Sequence, residues 1–249
     1  MTDARIAARA LIEARRTRAW LAALPEASRP RDAAEAYAIQ TLVAEQAGPV
    51  AGWKVGAATA EAEPFAAPLH ASTVFFGTEP LRAADYQVIG AEAEIAYRLG
   101  RDLPPRATPY SREEVLDAVA SLHPAIEIAD TRFRGLGSTD PLSHLADQQS
   151  HGALVVGPAL TDFRAIVPVE QPFALRLDGR VVREGVGGNT AGDPVRMLAW
   201  LAQHAVRLGG LRAGMVITTG SVMGCLPVPA GTRVQAEFPG LGTVETAIL

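Results

Sequence analysis

The sequence predicts an α+β fold in which a helical N-terminal region, residues 1–50, precedes a β-rich part over residues 51–249. Three observations lead there. Apolar residues recur at helical spacing up to Val50, and beyond it short runs rich in β-branched residues alternate with Gly- and Pro-containing turns. In the second part Asp178-Gly179 separates FALRL from RVVREG, a dipeptide that suits a two-residue hairpin turn. At 249 residues and 48% hydrophobic, the chain can bury a large core.

The elements follow in order. Ile6, Leu11 and Ile12, then Trp20, Leu21 and Leu24, predict a first helix that Pro25 ends. Ala36, Ile39, Leu42 and Val43 form the apolar stripe of a second helix over 32–47. GWKVGA, HASTVFF, AEIAYRL, AIEIAD, GALVVG, the hairpin, AGMVITTG and RVQAEFPGLGTVETAIL then read as strands. Two helices interrupt them. One runs over 111–122, with Ser111 and Glu114 spaced as a capping box. The other runs over 193–208, with Pro194 in its first turn and Gly209-Gly210 as its stop.

Composition narrows the function. A net charge of −4 without a Lys/Arg run argues against nucleic acid as partner. The single cysteine, Cys225, excludes an intrachain disulfide and thiolate metal clusters, and fits a reducing compartment. The N-terminal segment is arginine-rich and lacks the apolar stretch of a secretory signal, and no run reaches the roughly 18 apolar residues of a membrane span. A soluble, cytoplasmic protein is expected.

Three carboxylates carry the chemistry. Glu92 and Glu94, two apart in VIGAEAEIAY, project to one face if that segment is a strand. Glu127 sits in the apolar run AIEI, where an isolated acid is costly to bury. Three acids converging from two strands suit a hard divalent cation such as Mg²⁺ or Mn²⁺. The same pattern also fits a solvated strand face, with Glu127 paired to Arg132. Lys54, between Trp53 and Val55, is placed either to enter a cavity or to snorkel at a strand edge.

Taken together, GWKVGAAT, AEAEIAYRLGRDLP, HPAIEIADTRF, LADQQSHGALVVG, the segment from Ala191 to Ser221 and the terminal LGTVETAIL resemble the fumarylacetoacetate hydrolase superfamily. The likeness is to its branch of 2-hydroxypenta-2,4-dienoate (2-keto-4-pentenoate) hydratases and 4-oxalocrotonate decarboxylases. The resemblance implies a β-rich roll of mixed sheets, Mg²⁺ or Mn²⁺ on Glu92, Glu94 and Glu127, and a 2-oxo acid chelated through its carboxylate and 2-oxo oxygens. It makes Lys54 a proton-transfer or carboxylate-binding group and puts Gln148, Ser150, His151, Thr219 and Ser221 at the substrate, although Thr219-Gly220-Ser221 also fits an ordinary turn.

One position departs from the pattern. Ser72, in PLHASTVFF, stands where the family's hydratases have an acid, and a hydroxyl is no base at neutral pH unless another group activates it. His70 is the candidate to replace that base, with His151 as the other. Hydration of a 2-oxo-4-enoate in aromatic-compound catabolism is therefore expected. Decarboxylation of a 2-oxo diacid and hydrolytic C–C cleavage of an acylpyruvate are the alternatives on the same metal–enolate chemistry, and a non-catalytic 2-oxo acid binder is a third. Self-association into a homo-oligomer is expected, with a small molecule as the only other partner. Arg132 and Arg134 read as exposed arginines, or as binders of a second substrate carboxylate.

Overall fold

A computed structural model describes residues 3–205 and 209–249. Five helices, α1 (Ala4–Thr17), α2 (Ala33–Ala47), α3 (Arg112–Ala118), α4 (Pro141–Ala146) and α5 (Pro194–His204), lie among these residues. The strands are β1 (Val50–Gly56), β2 (Phe65–His70), β3 (Val74–Phe76), β4 (Gly90–Leu99), β5 (Val119–Ala129) and β6 (His151–Val156), then β7 (Pro172–Leu177), β8 (Arg180–Val186), β9 (Val216–Thr218), β10 (Leu226–Pro227), β11 (Arg233–Phe238) and β12 (Gly242–Ala247).

The strands form two sheets. The larger is mixed, in the order β2-β1-β9-β4-β5-β6-β3, with β10 added to one end of β4. Its β1–β9 and β3–β6 pairs are parallel and its remaining pairs antiparallel. The smaller is antiparallel, β12-β11-β7-β8. Alternation along β4 and β5 gives the larger sheet two unlike faces. Ala93, Ile95 and Tyr97, with Ile126 and Ile128, enter the main core, which they share with Leu175, Val234, Ala236 and Phe238 of the smaller sheet and with Leu198 and Leu201 of α5. The intervening residues Glu92, Glu94, Ala96, Ala125 and Glu127 face the other way, where Ala96 and Ala125 join a smaller buried cluster with Leu69 and Leu154.

Several expectations are met in detail. Asp32 caps α2 through the Glu35 amide, and Ser111 and Glu114 cap α3 reciprocally. Asp178 and Gly179 turn with φ of 49° and 80°, the pair of positive angles that a type I′ hairpin turn requires. Other boundaries differ. Helix α1 ends at Thr17, where Arg18 adopts a left-handed conformation. Leu24 is nevertheless buried, because the following chain runs back over the core and Leu21 bridges to Phe133. The segment 119–122, expected as helix, opens β5 instead, since Val-Ala-Ser-Leu alternates as well as it spirals and the sheet supplies its partners. HASTVFF divides into the end of β2, a 3₁₀ turn and β3. Helix α4 was not foreseen. The expected end of the last helix, 206–208, lies outside the described residues, as do residues 1 and 2.

Helices α1 and α2 pack as a layer whose core includes Ala7, Leu11, Ala36 and Ile39 together with Phe133, Leu145 and Ala146 from the β-rich part. No described helix is long and apolar enough to cross a membrane. At the centre of the larger sheet, Gly52 on β1 meets Val216 on β9 so closely that a Cβ would sit 1.9 Å from the Val216 carbonyl oxygen. Gly52→Ala is expected to cost about 2–4 kcal/mol by forcing β1 from β9, read as a drop in the urea midpoint.

Candidate metal and active site

The register of β4 and β5 places Glu92 directly opposite Glu127, and Glu94 lies one same-face step along. One oxygen from each acid lies within 4.8 Å of the others. Glu94 and Glu127 are buried and Glu92 half-buried. Like charges this close repel in a dry setting, so the cluster needs neutralisation.

Lys54 provides one part of it. From β1 its Nζ reaches Glu127 Oε1 at 2.5 Å and donates to the Gln149 carbonyl at 3.0 Å. Burial disfavours the ammonium, but Glu127, Glu92 and Glu94 outweigh that and raise its pKa. His151 Nδ1 donates to the same Glu127 Oε1 at 3.2 Å. Burial would raise the Glu127 pKa, yet Lys54 and His151 hold it down at about 2. Glu92 has no such donors; burial, then the Glu127 charge, pushes it up to about 7. Burial and both neighbouring acids raise Glu94 well above the carboxylate range, although the Gly220 amide donates to its Oε2 at 3.2 Å.

One atom then stands out. With Oε1 of Glu127 held by two donors, its Oε2 is buried without a hydrogen-bond partner. A bare carboxylate oxygen beside two further carboxylates is the all-oxygen donor set that a hard divalent cation takes. The residues present fit such an ion.

Glu92 and Glu94 form the floor of a cleft of about 360 Å³, with Glu127 behind them. Lys54, His144, Gln149 and Ser150 line one side and the loop Gly188–Ala191 with Gly220 and Ser221 the other, while Val55, Ala57, Phe65 and Leu136 give it apolar walls. Asn189 fixes the two loops to each other through the Thr219 and Gly220 carbonyls. Cys225 also borders the cleft, and burial, then Glu92 and Glu127, push its thiol up to about 12.

The expected site residues divide accordingly. Lys54, Glu92, Glu94, Ser150 and Ser221 line the cleft, with Glu127 and His151 directly behind. Thr219 is buried, and its carbonyl anchors Asn189. Gln148 is buried below the cleft, where its amide donates to His70 Nε2 at 2.8 Å and its Oε1 accepts from Arg15 at 3.0 Å.

Three expectations need correction. His70 is not available as a base: Nδ1 donates to the Gly48 carbonyl, Nε2 accepts from Gln148, and the ring is buried outside the cleft lining. Ser72 is exposed on the 3₁₀ turn between β2 and β3 and does not border the cleft, while neighbouring Thr73 contacts His151 Nε2 at 2.9 Å. Arg132 is neither exposed nor in the cleft, being held by Asp147 at 2.5 Å and flanked by Asp130. Sequence reasoning missed His144, Gln149 and Asn189. Asp140-Pro141, a cap followed by Pro at the first helical position, was the available signal for α4 and hence for His144.

Residues 44–249 match the family described as fumarylacetoacetate (FAA) hydrolase C-terminal. The chain belongs to that family. It is 32% identical to a 2-keto-4-pentenoate hydratase of Paraburkholderia phymatum over 95% of this chain and 94% of that one. In fold it is similar to 4-oxalocrotonate decarboxylase from Pseudomonas putida G7, complexed with magnesium and adipate: TM-score 0.87 at 20% identity, covering 100% of this chain and 99% of the other. It is also similar to a fumarylpyruvate hydrolase from Pseudomonas aeruginosa in complex with Mn²⁺ and pyruvate, with TM-score 0.58 at 18% identity over 79% and 88%.

The two kinds of acid give opposite pH dependences. Glu127, lowered to about 2 from 4.5, contributes stability that is present above pH 4.5 and lost as the pH falls toward 2. Glu92, raised to about 7 from 4.5, contributes stability that is complete below pH 4.5 and lost as the pH rises through 7. In chelator-treated protein the urea midpoint should therefore fall from about pH 5 to about pH 8. Glu92→Gln should flatten that slope, and an unchanged slope would refute the assignment.

Proposed function

We propose that this protein is a metal-dependent hydro-lyase that adds water to a 2-hydroxy-2,4-dienoate or its 2-oxo-enoate tautomer, in the breakdown of aromatic compounds. The observation that carries the reading is the bare Oε2 of Glu127, set beside Glu92 and Glu94 on the floor of a cleft that also holds Lys54. Glu92, Glu94 and Glu127 hold Mg²⁺ or Mn²⁺, which supplies Lewis-acid stabilisation of negative charge on the 2-oxo acid head. The magnesium, manganese and pyruvate in related structures support this.

The chain's own residues do the rest. Lys54, kept charged by the three acids, offers its third N–H to the substrate and can pass a proton to it. The Gly220 amide and Asn189 hold the Thr219–Ser221 turn, so that Ser221 meets the head group. Among the described residues of the lining, Lys54 is the one side chain of lasting positive charge, and Val55, Ala57, Phe65 and Leu136 form apolar walls. Those walls favour an uncharged tail, and so hydration of a monocarboxylate over decarboxylation or C–C cleavage of a diacid. The likeness to a 2-keto-4-pentenoate hydratase along nearly the whole chain points the same way.

The reading extends to setting. One cysteine in 249 residues supports a cytoplasmic enzyme, and exposed Val167, Val169, Val181, Val182 and Val186 support self-association into a homo-oligomer.

With Mg²⁺, purified protein should deplete the absorbance of 2-hydroxypenta-2,4-dienoate. Chelation should lower the rate at least about 100-fold and added Mg²⁺ or Mn²⁺ should restore it, whereas an unchanged absorbance would refute hydration. Lys54→Met should lower kcat by roughly 10²-fold, measured in the same assay.

A further inference from the structure

Hydration needs a group that takes a proton from water, and Ser72, which stands where an acid is expected, does not border the cleft. The histidines expected to replace it are both committed: His70 between Gly48 and Gln148, and His151 between Glu127 and Thr73. His123 is likewise held, by the Gly157 carbonyl and Ser121. One histidine lines the cleft. His144, half-buried near the end of α4, shares that wall with Lys54 and Gln149.

The backbone there is built in an unusual way. Gln148, Gln149 and Ser150 all have left-handed φ angles, 54°, 53° and 56°. Left-handed geometry is disfavoured for any residue with a Cβ, so three in succession persist only where the surroundings impose them. The surroundings do so here. Arg15 and His70 grip the Gln148 amide, Lys54 takes the Gln149 carbonyl, and the Ser150 carbonyl accepts from the Asp130 amide. The turn brings the Gln149 carbonyl to Lys54, and His144 lines the same cleft close enough for the Lys54 charge to bear on its ring. The strained turn thus anchors the cleft's lysine in the lining that also includes His144.

We propose that His144 is the catalytic acid–base residue of this site, working beside Lys54 in place of the absent acid. This rests on the hydro-lyase reading for the identity of the substrate. Ketonisation of the dienol, with a proton added at C5 and the 2-hydroxyl proton lost, gives the 2-oxo-3-enoate. Neutral His144 then accepts a proton from water as the water oxygen bonds to C4 and the C3=C4 electron pair moves toward the C2 oxygen. The proton then passes from His144 to C3 as the 2-oxo group reforms. Water has added across one double bond, and His144 ends as it began. Its electrostatic surroundings suit a base. Burial first, then the Lys54 charge, lowers its pKa, with Arg132 acting the same way and Asp147 and the Gln149 carbonyl opposing.

The test is exchange of the C3 protons of 2-oxobutanoate for deuterium, followed by NMR in D₂O with Mg²⁺. It requires proton transfer at C3 but no hydration, so its outcome is separate from that of the dienoate assay. Wild-type protein should exchange these protons. His144→Gln and His144→Ala should slow exchange by roughly 10²-fold or more while binding Mg²⁺ within threefold of wild type by calorimetry. Added imidazole should restore exchange to His144→Ala, which a purely structural role would not allow. Exchange at the wild-type rate in either variant, no rescue by imidazole, or no exchange by wild type would each overturn the assignment.

Discussion

The arrangement of this site turns on one buried carboxylate, Glu127, and on how its two oxygens are treated. Oε1 takes the Lys54 ammonium and the His151 ring, while Oε2 takes no protein donor. A carboxylate buried in an apolar strand is held ionised only by such partners. Fixing Oε1 also fixes where Oε2 points, so the ion pair with Lys54 neutralises the acid and aims it at once. Glu92 and Glu94 lack equivalent support, and their raised pKa values express the same crowding from the other side.

The rest of the architecture serves that contact. The antiparallel register of β4 and β5 brings Glu92 opposite Glu127, and the close approach of β1 to β9 at Gly52 brings Lys54 near enough to reach across. Ala96 and Ala125 continue the acids' face into a small buried cluster with Leu69 and Leu154, while the opposite face of the same strands fills the main core. Loops held by Asn189 close one wall of the cleft, and the left-handed turn at 148–150 closes the other.

Much of this was legible in the sequence. The two-residue spacing of Glu92 and Glu94, and an acid amid Ile and Ala at Glu127, are local patterns that strand geometry turns into a common face. The capping box at Ser111 and Glu114 and the Asp178-Gly179 turn are equally local. What was hidden depends on contacts distant in sequence. The segment 119–122 alternates and spirals equally well, and pairing with β4 decided for strand. Leu21 and Leu24 kept a helical spacing although the helix had ended, because burial does not require helix. His70 stood out in the sequence and His144 did not, because nothing local tells a histidine held by Gly48 and Gln148 from one facing a cleft. Glutamine does not announce a left-handed turn as glycine does, so residues 148–150 gave no signal either.

The tether from Arg15 to Gln148 has a consequence for how the molecule assembles. It joins residues 133 apart, and the Lys54 contacts to Glu127 and Gln149 span 73 and 95 residues. Hairpins such as β7–β8 close early because their loops are short, whereas contacts of this span form only after long loops have closed. The cleft is thus a late product of folding: a molecule with its hairpins and helices in place still lacks a finished site until its first helix docks.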